Sequence, residues 1–175
     1  MSITEIIFFH FKPELAQKAF QTIFTNTKAF DKAEGVLLRR YGHVLRHNGT
    51  DVLHEYRANL WIEWDKIENF QAFFPGSSIF QDFVRVAMPL ASQKPTPMLF
   101  ESEGRRPGPE VSTGSGILQI LTGKAEHRAD VSSAWGRYLE ALKHEKGNVR
   151  EWSGWGVGPT EGSFAGVVGW ESVEV

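Results

Sequence analysis

The sequence contains no cysteine, and this absence excludes several chemistries together. Without thiols the chain has no disulfide, no thiolate metal ligand and no cysteine nucleophile. No pair of its six histidines has metal-ligand spacing with a carboxylate partner, so we expect no metal. The chain also lacks a phosphate loop, a dinucleotide fingerprint and a nucleophile elbow, and we expect no bound cofactor.

Long apolar runs and a strong net charge are absent as well. No apolar stretch approaches the roughly 18 residues that a membrane span requires, and the N-terminus does not have the pattern of a signal peptide. The net charge is −2, and basic residues cluster only at Arg39-Arg40 and, nearby, at Arg46 and His47. We therefore expect neither a membrane nor a nucleic acid as a partner, and a soluble, cytoplasmic location.

Large aromatic residues are the most distinctive part of the composition. The chain has 13 Phe and 6 Trp, within an otherwise ordinary 41% hydrophobic and 23% charged residues. Aromatic rings bury much area each and most often fill a core, but they also line apolar ligand cavities. A small aromatic ligand is accordingly a candidate partner.

The first hundred residues predict the element order β-α-β-β-α-β, a ferredoxin-like unit with an antiparallel sheet. The strands are indicated by β-branched, aromatic or alternating runs, and the helices by apolar residues three and four apart. Ser78 with Gln81 three residues later predicts the cap of the last helix. The predicted strands are 3–11, 36–45, 52–64 and about 98–100, and the predicted helices are 14–30, 67–74 and 79–90.

After a linker at 103–115 the same plan starts again, with strands at 116–121, 149–157 and 163–170 and a helix over 131–142. Residues 41–44 (YGHV) align with 153–156 (SGWG), and Trp64 aligns with Trp170, which favours an internal duplication. The predicted domains are therefore 1–102, a complete repeat, and 116–175, a repeat that lacks its last helix and strand. Such a repeat leaves a sheet edge unpaired, so we expect either a monomeric pseudo-dimer or a homodimer that completes the short repeat, unless the natural chain is longer.

The opening ITEIIFFHFKPEL and the later segment LWIEWDKIENFQAFFPGSSIF resemble the dimeric α/β-barrel superfamily. More narrowly, they resemble its stress-responsive A/B-barrel and antibiotic-biosynthesis-monooxygenase-like branches. The resemblance implies an α+β fold in which two ferredoxin-like repeats pack sheet to sheet as a pseudo-dimeric α/β barrel. It also implies a ligand cavity between a sheet and its helices.

Activities known in this superfamily can be compared with the residues present. Where its polyketide cyclases have a histidine and a tyrosine on the second helix, this chain has Ser77 and Gln71, and Glu5 replaces their first-strand histidine. Where its haem-degrading members have an axial histidine, this chain has Phe74, with no histidine from 55 to 126. Both activities are disfavoured on those residues.

Cofactor-free monooxygenases of anthrone-type substrates in the same superfamily use an asparagine and a tryptophan on the third strand. Asn59 with Trp61 or Trp64 matches that pair loosely. Trp64 could stack on a flat ligand, or it could be a core residue like its counterpart Trp170. The other aromatic candidates for holding a substrate are Phe24 and Phe74.

Polar candidates for proton transfer lie on the first two strands. Glu5 shares a face with apolar residues, and burial there would raise its pKa and suit a general base. Alternatively, Glu5 lies in solvent at the open end of the strand. Arg39, Tyr41 and His43 share one face of the second strand and could bind and deprotonate an acidic or phenolic ligand. Alternatively, that face is solvated or lies at the interface between repeats.

These residues and the family resemblance favour two candidate functions, an enzyme and a non-catalytic module. The first is a small-molecule enzyme of secondary metabolism that acts on an aromatic or polyketide-like substrate without a bound cofactor, as a cyclase, isomerase or monooxygenase-like enzyme. Its catalytic groups would be His43, Tyr41 and Glu5. Its substrate would be bound by Arg39, Asn59, Trp64, Phe24 and Phe74. The second is a non-catalytic, stress-responsive A/B-barrel module for binding or assembly, in which the aromatic residues only pack.

Overall fold

The computed structural model describes residues 2–102, 111, 116–147 and 149–171. They divide into two compact units, residues 2–98 and the residues from 99 onward. Each unit has an antiparallel sheet and at least one helix, which confirms the predicted α+β class. Among the described helices, none is both long and apolar enough to cross a bilayer.

The first unit follows the predicted β-α-β-β-α order. In its sheet the strand Ala58–Trp64 lies between Val36–His43 and Ile3–Phe9 and is antiparallel to both. The register places Glu5 opposite Ile62 and Ile62 opposite Arg39, so these three side chains point to the same face. The elements are β1 Ile3–Phe9, α1 Ala16–Thr27, β2 Val36–His43, β3 Arg46–His47, β4 Thr50–Asp51, β5 Ala58–Trp64, α2 Ile67–Phe73 and α3 Ser78–Ala87.

Aromatic rings fill the space between this sheet and its helices. The Phe30 ring lies 4.9 Å from both the Phe73 ring of α2 and the Phe83 ring of α3, in edge-to-face geometry. Phe83 in turn contacts Phe9 of β1 at 6.1 Å. All four side chains are buried, and burial of each stabilises the fold by roughly 1.5–3 kcal/mol.

The third predicted strand, 52–64, is wrong over its first six residues. The Asp51 carboxylate accepts a hydrogen bond from the Leu53 backbone N–H at 2.9 Å, and a 3-10 turn follows at Leu53–Glu55. Tyr56 then takes a left-handed conformation, with φ of 51°. A side-chain bond to the backbone two residues on competes with strand pairing, and the strand begins only at Ala58.

The cap of α3 is also one residue from its predicted position. Ser77, not Ser78, is the N-cap, and its hydroxyl accepts a hydrogen bond from the Phe80 backbone N–H at 3.2 Å. Gln81 contributes differently from a capping box, because its side-chain amide donates to the Pro75 carbonyl.

Removal of this cap should destabilise the first unit measurably. We expect Ser77→Ala to lower the free energy of unfolding by about 1 kcal/mol, because the Phe80 N–H loses its acceptor. The matched control is Ser78→Ala, an exposed residue inside the helix, for which we expect a change within about 0.5 kcal/mol. Urea unfolding of both variants measures the difference. Equal effects, or a larger effect at Ser78, would contradict the cap assignment.

The second unit has the strand order β6-β8-β9-β7, again antiparallel. Its helix and its last strand agree with the predicted positions, whereas most of the predicted linker and residues 172–175 lie outside the described residues. Strand β6, predicted as the end of the first repeat, pairs with β8, with Phe100 opposite Gly156. The elements are β6 Met98–Ser102, β7 Ile117–Lys124, α4 Arg128–Lys146, β8 Arg150–Gly156 and β9 Ser163–Trp170.

The two units share an order of elements. In each, a strand and a helix are followed by two further strands of the same sheet, and the last of these strands lies between the other two. Trp64 and Trp170 are the final residues of these middle strands, β5 and β9. The internal duplication stays a prediction, and this shared order is consistent with it.

Glycines let tryptophan rings lie directly on the sheet of the second unit. A Cβ atom on Gly166 would lie 2.7 Å from the Trp135 ring, and one on Gly154 would lie 2.8 Å from the Trp152 ring. Real Cβ contacts are longer than this. Each ring therefore occupies space that a side chain at the glycine would fill.

Candidate functional site

Glu5 and Trp64 form a buried pair on the face of the first sheet that carries the helices. The Trp64 indole N–H donates a hydrogen bond of 2.8 Å to the Glu5 carboxylate. Glu5 is 3% exposed, so the alternative of a solvated strand end is wrong. Burial raises the pKa of Glu5 to about 7, and the hydrogen bond from Trp64 acts in the opposite direction. With a pKa of about 7, the carboxyl group of Glu5 is present in both its neutral and its ionised form near neutral pH.

The Trp64 ring has no exposed face on which a ligand could stack. It is fully buried, and it packs against the rings of Phe73 at 5.2 Å and Phe70 at 5.9 Å. Phe74, another predicted ligand contact, packs against Phe70 and Phe80 at 5.6 and 4.8 Å. This packing favours the interpretation of Trp64 and Phe74 as core residues.

Arg39 lies on the same face but is held by its neighbours. Its guanidinium makes a bidentate ion pair with Asp31, at 2.8 and 3.0 Å, and a longer contact of 3.5 Å with the Thr27 hydroxyl. Bidentate pairing fixes the guanidinium plane. Arg39 therefore links β2 to the end of α1 and to the 3-10 turn Lys28–Lys32 that follows it. These contacts stabilise the fold.

Tyr41 is bound to the helix above it. Its hydroxyl donates a 3.0 Å hydrogen bond to the Phe20 backbone carbonyl of α1, and burial raises the pKa of this phenol. Its ring contacts the rings of Phe20 at 5.1 Å and Phe24 at 5.7 Å. Phe24 is 38% exposed, with the Lys28 ammonium 4.8 Å above its ring. The face that carries Arg39, Tyr41 and His43 is thus under the helices and not a solvated outer face.

His43 is the candidate with an unused polar atom. Its Nε2 is buried and has no hydrogen-bond partner among the described residues. Burial lowers the pKa of His43, and a backbone hydrogen bond with Leu53 acts in the opposite direction. The imidazole is therefore mostly neutral at pH 7, the form that accepts a proton.

An open depression of about 500 Å³ lies beside His43. The irregular segment that replaces the first half of the predicted third strand forms most of its wall. Of the predicted site residues, only His43 lines it. The lining residues are His43, Asp51, Leu53, His54 and Tyr56.

The sequence pattern does not predict Leu53, His54 and Tyr56 as site residues because it assigns 52–57 to a strand, and it does not predict Asp51 because Asp51 lies in the turn before that strand. Asp51 itself indicates a turn, because an Asp side chain commonly accepts a hydrogen bond from the backbone N–H two residues later. A second buried carboxylate was also missed. Glu63 is fully buried on the opposite face of the sheet, where the Thr4 hydroxyl donates to its carboxylate at 2.7 Å.

Asn59 and Trp64 lie on opposite faces of β5, whereas Trp61 shares the face of Asn59, because side chains alternate along a strand. The Asn59 side-chain amide donates to the Ile7 backbone carbonyl of β1 at 3.2 Å. The candidates thus fall into three places: the Glu5–Trp64 pair, the Arg39–Tyr41 contacts with α1, and His43 at the depression.

Comparison with solved structures identifies similar folds. One is a protein from Lactobacillus acidophilus provisionally named a monooxygenase, with 14% identity over 98% of this chain and 77% of that one, at a TM-score of 0.59. Another, from Fusobacterium nucleatum and provisionally named in the same way, has 9% identity over 99% of this chain and 77% of that one, at a TM-score of 0.62. No protein-family model matches the sequence, and no curated protein matches it. At these identities the likeness concerns the fold alone, and it confirms the predicted α+β architecture.

Proposed function

We propose that this protein is a small-molecule enzyme that acts on a hydroxylated aromatic or polyketide-like substrate, in the manner of a monooxygenase without a bound cofactor. The observation that carries the proposal is His43, whose pKa is lowered by burial and whose Nε2 has no hydrogen-bond partner among the residues that the structure describes, beside an open depression. The provisional names of the two similar structures agree with this class of activity.

The chemistry begins with a proton transfer. A phenol or enol at the depression gives its proton to Nε2 of His43, and the resulting anion is electron-rich enough to react with O₂. An activated CH₂ group then becomes C=O, while the second oxygen atom leaves as water with the two hydrogens. This balance needs no external reductant.

Access to the nitrogen requires a small rearrangement. Nε2 of His43 is covered by protein atoms, so a ligand reaches it only after a neighbouring side chain moves. Binding is favoured because a buried acceptor without a donor costs about 1–3 kcal/mol, which a ligand hydroxyl recovers.

The first test is titration with 4-nitrophenol, whose phenolate absorbs visible light. We expect saturable binding that increases the phenolate absorption, because His43 takes up the proton. His43→Gln keeps a polar group of similar size but accepts no proton, so we expect binding about tenfold weaker or more, a loss typical of one hydrogen bond to a charged group.

The matched control is His47→Gln, an exposed histidine of β3 that does not line the depression. We expect it to bind the probe like the wild type. The proposal fails if the wild type shows no saturable binding, or if His43→Gln binds and ionises the probe as the wild type does.

A non-catalytic module is the second candidate function, and a specific observation favours it. The space around Trp64 and Phe30, where a cavity between sheet and helices was expected, is filled by rings. In that case the aromatic residues only pack, and His43→Gln and the wild type would both leave 4-nitrophenol unbound.

A further inference from the structure

Tyr56, which lines the depression, has an unusual backbone. Its φ and ψ are 51° and 31°, the left-handed region, at the end of the 3-10 turn Leu53–Glu55. For a residue with a side chain this conformation is unfavourable, and glycine or asparagine adopts it most often. The turn is held by a 3.3 Å hydrogen bond from the Tyr56 N–H to the Leu53 carbonyl and by the ion pair of Arg57 with Glu55.

With this left-handed backbone, the Tyr56 ring lies against His43, the proposed proton acceptor. The ring stacks on the His43 imidazole, with centroids 5.4 Å apart and an interplanar angle of 17°. Phe20 of α1 contacts the same imidazole at 4.8 Å and lies 6.5 Å from the Tyr56 ring, so the three rings form a triangle. One corner of this triangle is fixed by the helix, and the other is fixed by the strained turn.

We propose that Tyr56 is a positioning residue for His43: its ring, placed by the left-handed backbone, holds the imidazole beside the depression. Strain of this kind persists where the surroundings impose it, and it concentrates at functional sites. Glycine would adopt the same backbone without strain, but it would lack the ring that stacks on His43. The contribution to ligand binding rests on the proposed function, whereas the effect on His43 itself does not.

The experiment compares Tyr56→Gly, Tyr56→Phe and Leu53→Ala by NMR titration of the His43 imidazole and by thermal unfolding. In Tyr56→Gly the imidazole loses the stacked ring and becomes hydrated, so we expect the pKa of His43 to rise towards the ordinary value of about 6.5. The thermal midpoint should stay close to that of the wild type, because relief of the backbone strain offsets the lost contact. Tyr56→Phe keeps the ring and should leave both quantities unchanged.

Leu53→Ala is the matched control. It removes another side chain from the wall of the depression but keeps the backbone of Leu53 and the Tyr56 ring, so we expect the titration of His43 to be unchanged. Asp51 and His54 are intact in all three variants. The inference is overturned if Tyr56→Gly titrates like the wild type, or if Tyr56→Phe loses the low pKa.

The two proposals can fail separately. A shifted His43 titration in Tyr56→Gly, together with no binding of 4-nitrophenol to the wild type, supports the positioning role and contradicts the enzyme. Binding of the probe with equal affinity to the wild type and Tyr56→Gly, with the titration unchanged, contradicts the positioning role alone.

Discussion

The Glu5→Gln variant should be more stable than the wild type at pH 8.5, by on the order of 3 kcal/mol, and nearly equal to it at pH 4.5. The reason is the burial of a carboxyl group whose pKa is raised from 4.5 to about 7. Glutamine is uncharged at every pH, and its side-chain oxygen can still accept the hydrogen bond that Trp64 donates to Glu5.

Proton linkage determines the direction in which stability changes with pH. A group whose folded pKa lies above its unfolded value favours the folded state fully at pH values below the unfolded pKa, here 4.5. That contribution is lost as the pH rises to about 7 and beyond, because the buried group must ionise or hold a proton that the unfolded chain has released. The wild type should therefore lose stability between about pH 4.5 and pH 7, and Glu5→Gln should not.

Urea unfolding at several pH values measures this difference. The control is Glu68→Gln, an exposed glutamate on α2, for which we expect a change within about 0.5 kcal/mol at each pH. A stability difference between Glu5→Gln and the wild type that does not vary with pH would show that Glu5 does not titrate in this range.

The second large effect is expected in the other unit, from Gly156→Ala at the end of β8. A Cβ atom at this position would overlap the backbone carbonyl oxygen of Thr160. Thr160 cannot move away easily, because its hydroxyl donates to the Leu99 carbonyl at 2.9 Å and accepts from the Leu99 N–H at 2.8 Å. We expect a loss of about 3 kcal/mol, at the upper end of what overpacking costs.

Gly123→Ala on β7 is the matched control, because nothing lies within 4 Å of its Cβ position. Alanine there should be neutral or slightly stabilising, since it restricts the unfolded chain. Hydrogen exchange of the amides in β6 and β8 would localise the effect. Unchanged exchange in Gly156→Ala would mean that the turn at 158–160 relaxes without loss.

Local patterns in the sequence predict most of the fold. Strand β9 has its predicted bounds, 163–170, because a continuous run of small and apolar residues begins directly after Gly162. The first half of the third strand is wrong because two short-range effects oppose the pattern: the Asp51 side chain binds the backbone at Leu53, and Tyr56 turns left-handed. Nothing in a lone tyrosine indicates such a backbone, which is most often taken by glycine or asparagine.

The candidate site is less predictable because it depends on contacts between distant parts of the chain. Alternation correctly places Arg39, Tyr41 and His43 on one face. It does not reveal that Asp31 binds Arg39 or that the Phe20 carbonyl binds Tyr41. Nor does it reveal that Nε2 of His43 has no hydrogen-bond partner within the described part of the chain. Likewise, the burial of Glu5 depends on the helices that cover its strand, and a strand pattern alone does not reveal it.

The contact between Gly166 and the Trp135 ring also couples the sizes of the side chains that these two positions can hold. A larger residue at Gly166 clashes with the indole, and a smaller residue at Trp135 uncovers the bare backbone of the strand. Substitution at either position alone is therefore expected to destabilise the second unit. A matched exchange, with a side chain at position 166 and a smaller residue at position 135, divides the same volume differently and should be tolerated better than either single change.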